Sequence, residues 1–261
     1  MILDFHMHAF PDSLAPRAME KLKHITQIPT YSAATISDTL AKMQAAGIDR
    51  GVLLHIATNP RQQDNVNAFA IEADRGALIS FGSVHFENGH AIEALQMLKE
   101  HGIKGVKLHP DYQGFFIDDP RLFPIYEAIS DLGLIVTFHA GFDGVSPNVM
   151  HCPPKRAKMV LQRFPHMKVV LAHMGGFRVL DEVLSHLAGE NVYFDTSLTP
   201  FMEREACIQL FRRHPIDRFL FGSDLPWQDN ALTRQFIEEL PLTKGEKAAI
   251  FYDNAASLLR L

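Results

Sequence analysis

The sequence predicts one α/β domain, a single (β/α)8 barrel of the TIM type spanning residues 1–261. Three observations lead there. Eight short apolar runs, many of them β-branched, are spread from one end of the chain to the other. An amphipathic segment separates each run from the next, and several of these segments stop at a glycine just before the following run. The length of 261 residues is close to the roughly 250 typical of one such barrel.

The runs cover 2–5, 51–54, 78–84, 103–108, 134–138, 168–172, 192–194 and 218–221. Short, nearly continuous apolar runs suit parallel strands buried on both faces. The segment 32–46 reads as a helix, with Ile36, Leu40 and Met43 at helical spacing and Gly47 as its stop. Segments 65–75, 91–101, 122–132, 154–164, 180–187, 203–213 and 231–240 repeat the theme, and a continuous helix over 244–259 closes the chain. The phrase helix–glycine–strand recurs at Gly76, Gly102 and Gly133, as expected of left-handed helix stops. The first interval is the longest. Its excess, residues 10–31, reads as a loop at the active-site end that forms a lid or pocket wall. Loops 111–118 and 141–154 fall at the same end.

Composition narrows the function. Hydrophobic residues make up 47% and charged residues 21%, ordinary for a globular enzyme. With 25 basic and 30 acidic residues, the net charge of −5 disfavours nucleic acid as a partner. Only Cys152 and Cys207 carry thiols, which is no disulfide framework and fits a reducing cytoplasm. The first residues lack a cleavable signal, and no apolar stretch approaches the roughly 18 residues of a membrane span. A small-molecule substrate is therefore expected, with no membrane partner.

The chemistry gathers at strand ends. His6 and His8 alternate with Met7, so both leave the first strand on one face. His139 follows the fifth run, His173 the sixth and Asp224 the eighth. Imidazoles and a carboxylate converging from separate strands form the nitrogen and oxygen set that zinc or a similar divalent ion prefers. Asp4 lies two residues before His6 and is expected on the same face, as a supporting group or a structural strand-start residue. Lys107 and His109 share one face of the fourth strand. His85 ends the third run and is a pocket candidate, whereas His55 reads as a hydrogen-bonded strand cap. Tyr112, Phe115, Phe116 and Trp227 form either a substrate wall or simple packing. Arg178 reads as a surface residue before it reads as a carboxylate binder. Cys152 has no neighbour in sequence to activate it as a nucleophile.

These motifs resemble the amidohydrolase superfamily, in the amidohydrolase-related branch that includes aminocarboxymuconate semialdehyde decarboxylase. The resemblance rests on Asp4-Phe5-His6-Met7-His8, Gly105-Val106-Lys107-Leu108-His109-Pro110, Phe138-His139-Ala140-Gly141, Leu171-Ala172-His173-Met174-Gly175-Gly176 and Phe221-Gly222-Ser223-Asp224-Leu225-Pro226-Trp227. It implies that His6, His8, His139 and Asp224 surround the metal, with His173 a further ligand or a catalytic group. Zinc is expected and manganese is the alternative, one ion per chain rather than two. A carboxylated Lys107 bridging two ions is the minor alternative to a substrate-binding or structural lysine. The resemblance also implies a homodimer.

The function expected first is hydrolysis of an amide, lactone or similar ester-like bond by metal-activated water, with Asp224 shuttling a proton and His173 assisting. Lys107, His109, His85 and Trp227 would contact substrate. The alternative is non-oxidative decarboxylation of a small unsaturated or aromatic acid, in which Asp224 or His173 moves a proton to carbon. A barrel that binds metal and ligand without turnover is a further alternative. The chain's shortness tips the expectation to hydrolysis. Purified protein is expected to hold about one divalent ion per chain. Metal analysis that finds none, with no rise in Tm on adding zinc or manganese, would remove the metal reading.

Overall fold

The structure, a computed structural model, describes the backbone of residues 1–261 and every side chain except that of Thr26. Eight parallel strands form in order: β1 (Leu3–Met7), β2 (Arg50–Leu54), β3 (Leu78–Phe81), β4 (Gly105–Leu108), β5 (Ile135–Phe138), β6 (Lys168–Leu171), β7 (Tyr193–Asp195) and β8 (Phe219–Leu220). Regular pairing joins β1 to β3 and β4 to β8. Main-chain hydrogen bonds stitch both remaining seams. Gly82 N donates to Gly105 O (3.1 Å) and Lys107 N to Gly82 O (2.8 Å) between β3 and β4. Phe5 N donates to Phe221 O (2.7 Å) between β1 and β8, and Asp224 N donates to His6 O (2.7 Å) just beyond. The (β/α)8 barrel is the fold that the strand pattern predicts.

Alternation along the strands divides the core in two. Leu3, Phe5, Val52, Leu54, Ile79, Phe81, Ile135, Val170 and Leu220 fill the barrel interior. Ala255, Leu258 and Leu259 of the last helix join that cluster and plug the end of the barrel where the strands begin. Val106, Leu108, Val136, Phe138, Val169 and Leu171 face the other way, onto the surrounding helices. Each helix of the ring presents its apolar stripe to this outer layer. The helix Ala91–Glu100, for example, buries Ala91, Ala94, Leu95 and Leu98.

Three expectations need correction. The segment 10–31 is not all loop: Ala15–Thr26 is helical, with Pro16 in its first turn and Gln27 at φ +56 as its stop. The closing helix is not continuous. Its middle, Ala249–Asp253, widens into a π-helical turn between Lys244–Ala248 and Asn254–Leu259. There the Ile250 carbonyl accepts the Phe221 N–H (2.9 Å), so one helical carbonyl extends the ladder of β8. Finally, Asp4 does not share a face with His6. A register shift between Asp4 and Met7 turns the strand, and Asp4 faces Ser223 instead, whose Oγ donates to it at 2.5 Å.

Gly105 marks the tightest point of the β4 seam. A Cβ there would lie 2.5 Å from the Ile135 carbonyl oxygen and 2.5 Å from the Phe81 ring. Gly105→Ala should lower stability by about 1–3 kcal/mol, read as a shifted urea midpoint. An unchanged midpoint would mean that the seam yields.

Candidate metal centre

The strand ends deliver the polar side chains to one mouth. His6 and His8 come from β1, Lys107 and His109 from β4, His139 from β5, His173 from β6 and Asp224 from beyond β8. All of them line one cavity of about 630 Å³, together with Tyr112 and Trp227. His85 is not among the lining residues; it stacks on Phe86 instead. His55 bonds the Ser80 hydroxyl at 2.8 Å, as a strand cap should. Phe115 packs against Phe86, and Phe116 lies under Arg156, so neither faces the cavity. Arg178 does line it, contrary to its reading as a surface residue; its guanidinium stacks 4.1 Å above the Phe142 ring. Burial pushes the Cys152 thiol far up, consistent with an inert side chain.

Hydrogen-bond direction fixes the ring tautomers. His8 Nδ1 lies 2.7 Å from the Leu54 carbonyl oxygen, which only accepts, so Nδ1 carries the proton. His6 Nδ1 lies 2.8 Å from the buried Asp195 carboxylate and carries the proton for the same reason. With a single ring proton each, both rings would offer an Nε2 lone pair. The two Nε2 atoms face each other at 3.2 Å, and Asp224 Oδ1 lies 3.1 Å from one and 3.4 Å from the other. Three lone-pair atoms would then converge, an arrangement that a cation among them satisfies. Two imidazoles and a carboxylate are a donor set for zinc or manganese, so the residues fit a divalent ion. Burial, reinforced by the Lys107 charge, holds the His6 pKa well below its usual value and keeps its Nε2 free to ligate.

A hydrogen-bonded chain supports this trio from behind. The Ser197 hydroxyl donates to Asp195 and accepts from His173 Nδ1 at 2.7 Å. His173 Nε2 therefore accepts from His139 Nδ1, 3.1 Å away. The His139 Nε2 lone pair is left buried and, among the described residues, without a hydrogen-bond partner. Sequence reasoning missed Asp195, although it closes β7 as the histidines close their strands. Backbone strain concentrates here too: His173 sits at φ +58 and Asp224 at φ +75, in the left-handed region that side chains avoid.

Asp143 was also missed. It lies 3.6 Å from His109 Nε2 and 3.5 Å from His139 Nε2, and burial raises its carboxyl to about 6. Gly141, at φ +88, lets this loop press against Phe177; a Cβ would come within 2.2 Å of Phe177 N. The trio His109, His139 and Asp143 has the spacing of a cation site. Its protons differ from those of the first trio. His109 Nδ1 accepts from Tyr112 N (3.3 Å), so Nε2 is an N–H aimed at Asp143. A proton on His109 Nε2 thus stands within the second trio, where only His139 Nε2 is left without a hydrogen-bond partner among the described residues, whereas the first trio gathers three lone-pair atoms and is the better cation site.

Lys107 is 1% exposed, and its Nζ finds no hydrogen-bond partner among the described residues. Burial pulls the ammonium down to about 8, opposed by the Asp195 and Asp224 carboxylates. This is a buried cation at the cavity floor with donors to spare.

A (β/α)8 barrel with a His-x-His pair on its first strand and an aspartate beyond its eighth defines an enzyme of the amidohydrolase superfamily. The chain belongs to the amidohydrolase family, whose model matches residues 3–261. No curated protein matches it. Among solved structures it is similar to an uncharacterised TIM-barrel protein from Bordetella bronchiseptica, at 22% identity and a TM-score of 0.77, covering 99% of this chain and 98% of that one. It is similar to 5-carboxyvanillate decarboxylase from Sphingomonas paucimobilis, at 17% identity and 0.76, covering 100% and 99%. It is also similar to a dihydroxybenzoic acid decarboxylase from Polaromonas sp. JS666 with bound manganese and the inhibitor 2-nitroresorcinol, at 16% and 0.71, covering 100% and 97%.

Asp195→Asn should weaken zinc or manganese binding about 10–100-fold, because an amide no longer orients the His6 ring by charge. Competition against a chromophoric chelator reads this directly. Unchanged affinity would reduce Asp195 to a packing role.

Proposed function

We propose that the chain is a metal-dependent decarboxylase that removes CO2 without oxidation from a small aromatic or unsaturated acid. The observation that carries this reading is the pairing of a lone-pair metal trio with an apolar cavity. Phe10, Ile28, Tyr31, Phe142, Leu198 and Trp227 wall the space above His6, His8 and Asp224. Such walls fit a planar ring and strip water from its carboxylate, whose charge disappears as CO2 forms. The manganese-containing and carboxyvanillate-cleaving neighbours support the same reading. The expectation of hydrolysis leaned on chain length. That lean is withdrawn, because the match spans 99% of the carboxyvanillate decarboxylase's chain.

The residues divide the work. His6, His8 and Asp224 hold the divalent ion, and His139 Nε2 is the fourth candidate ligand. The ion supplies Lewis acidity for a substrate oxygen. Lys107 pairs with the substrate's anionic group, giving its buried ammonium the partner the fold withholds. His109 and Tyr112, stacked with ring centres 3.8 Å apart, form one side of the slot. Cleavage breaks the bond between the ring carbon and the carboxylate, and a proton must replace CO2 on that carbon. His173 is committed at both nitrogens, so Asp224 is the better placed to deliver it.

The deciding assay offers hydroxybenzoates and muconate-like acids, and in parallel lactones and amides, to the manganese- or zinc-loaded protein. CO2 release from an acid is expected; acid release from a lactone or amide, without CO2, would overturn the proposal. Asp224→Asn should lower turnover at least about 10³-fold with little change in Tm. Retained activity would remove Asp224 from the chemistry.

A further inference from the structure

A second cavity, of about 420 Å³, opens at the other end of the barrel, where the strands begin. His166, Lys168, Tyr193, Arg218, Ser257 and Arg260 line it, and no aspartate or glutamate does. The chain as a whole is acidic, with a net charge of −5, so this concentration of cations is local. Lys168 begins β6, Tyr193 begins β7 and Arg218 directly precedes β8. Arg260 follows the helix that plugs the barrel.

The cations lack protein counter-charges. Among the described residues, Lys168, Arg218 and Arg260 take part in none of the ion pairs within 4.0 Å. The Arg218 guanidinium lies over the Tyr193 ring, 4.5 Å from its centre. The cation–π contact anchors the guanidinium without using its N–H donors, which suits bidentate oxyanion binding. Lys168 Nζ spends one hydrogen on the Gly133 carbonyl at 3.3 Å and has two left. Burial, then the Arg260 and Lys99 charges, lowers its pKa, so the charges acting on it are cations.

We infer that this cavity is a binding site for a small phosphate-bearing anion, distinct from the metal centre. Its volume suits a small molecule and its three lining cations suit a dianion, whereas a lone carboxylate would neutralise only one. The phosphate would sit between Arg218, Arg260 and Lys168, with the Tyr193 and Ser257 hydroxyls beside it. The inference does not depend on which bond is broken at the opposite mouth. The strands that begin at this cavity lead to His173, Asp195 and Asp224, so occupancy would brace the backbone beneath the metal centre.

The test is calorimetric titration of inorganic phosphate, a phosphomonoester such as glycerol 3-phosphate, and acetate into the full chain at physiological salt. Because phosphate also binds metals, the titration is repeated on Asp224→Asn, which alters the metal trio alone. Saturable phosphate binding is expected in both proteins, with a rise in Tm. Arg218→Ala combined with Arg260→Ala should weaken it roughly tenfold or more, the loss expected for charge-assisted hydrogen bonds. If that pair misfolds by circular dichroism, the single Arg218→Gln should still weaken it measurably. Tighter binding of the monoester identifies a phosphorylated metabolite, and equal binding identifies free phosphate. Absence of saturable binding, binding that survives the arginine changes, binding lost in Asp224→Asn, or acetate binding as well as phosphate would each overturn the inference.

Discussion

Two imidazole lone pairs facing each other at 3.2 Å are an arrangement that a protein does not hold without reason. Each ring is turned to that pose from behind, His8 by the Leu54 carbonyl and His6 by Asp195. Asp195 in turn is held by Ser197, whose oxygen also orients His173. The direction of every proton in this chain follows from groups that only accept. The metal centre is thus written into four strands, β1, β2, β7 and β8, through second partners rather than through the ligands alone. That dependence explains why the barrel must close. Asp224 reaches the β1 histidines only because its N–H is bonded to the His6 carbonyl across the seam.

The same closure accounts for the strain at the mouth. His173 and Asp224 both take left-handed backbone conformations, and neither is a glycine. A residue that follows a parallel strand tends to continue outward; a left-handed turn brings its side chain back over the barrel axis. Holding two such residues costs on the order of a few kcal/mol. The surrounding ladder and the buried interior, from Phe5 to Leu220, offset it.

Much of this was legible in the sequence because a parallel strand has two readable properties, apolar continuity and a polar residue where it meets solvent. His6, His8, His139, His173 and Asp224 were found by that rule. Asp195 obeys it equally, yet the short apolar run before it drew the strand's end at Phe194. Asp143 obeys no such rule. It hangs from a loop whose path depends on Gly141 lying against Phe177, a contact between segments far apart in the chain. His85 was misjudged for the opposite reason: it follows an apolar run, but β3 ends early at Phe81 and the ring turns onto Phe86. The helix Ala15–Thr26 does carry Ala15, Ala18, Met19, Leu22 and Ile25 at helical spacing, but it lies in an extra stretch after β1 that the plain βα repeat does not call for, so it read as loop.

That helix bears on substrate choice. The metal trio, its supporting chain and Lys107 come from strands, which the family's barrel holds in common. The walls that would touch a substrate come from elsewhere: Leu22 in the helix Ala15–Thr26, Gln27, Ile28, Pro29 and Tyr31 after it, Phe142 and Asp143 after β5, Leu198 after β7. Loops vary more readily than strands because they carry fewer buried contacts. In the proposed decarboxylase, the strand ends would supply the metal and the charge that activate the substrate. The loops would then set which molecule fits the slot. A graft of residues 10–31 from one such barrel to another should move substrate preference while leaving metal affinity in place, because His6, His8 and Asp224 are positioned by Asp195, the Leu54 carbonyl and the β1–β8 seam.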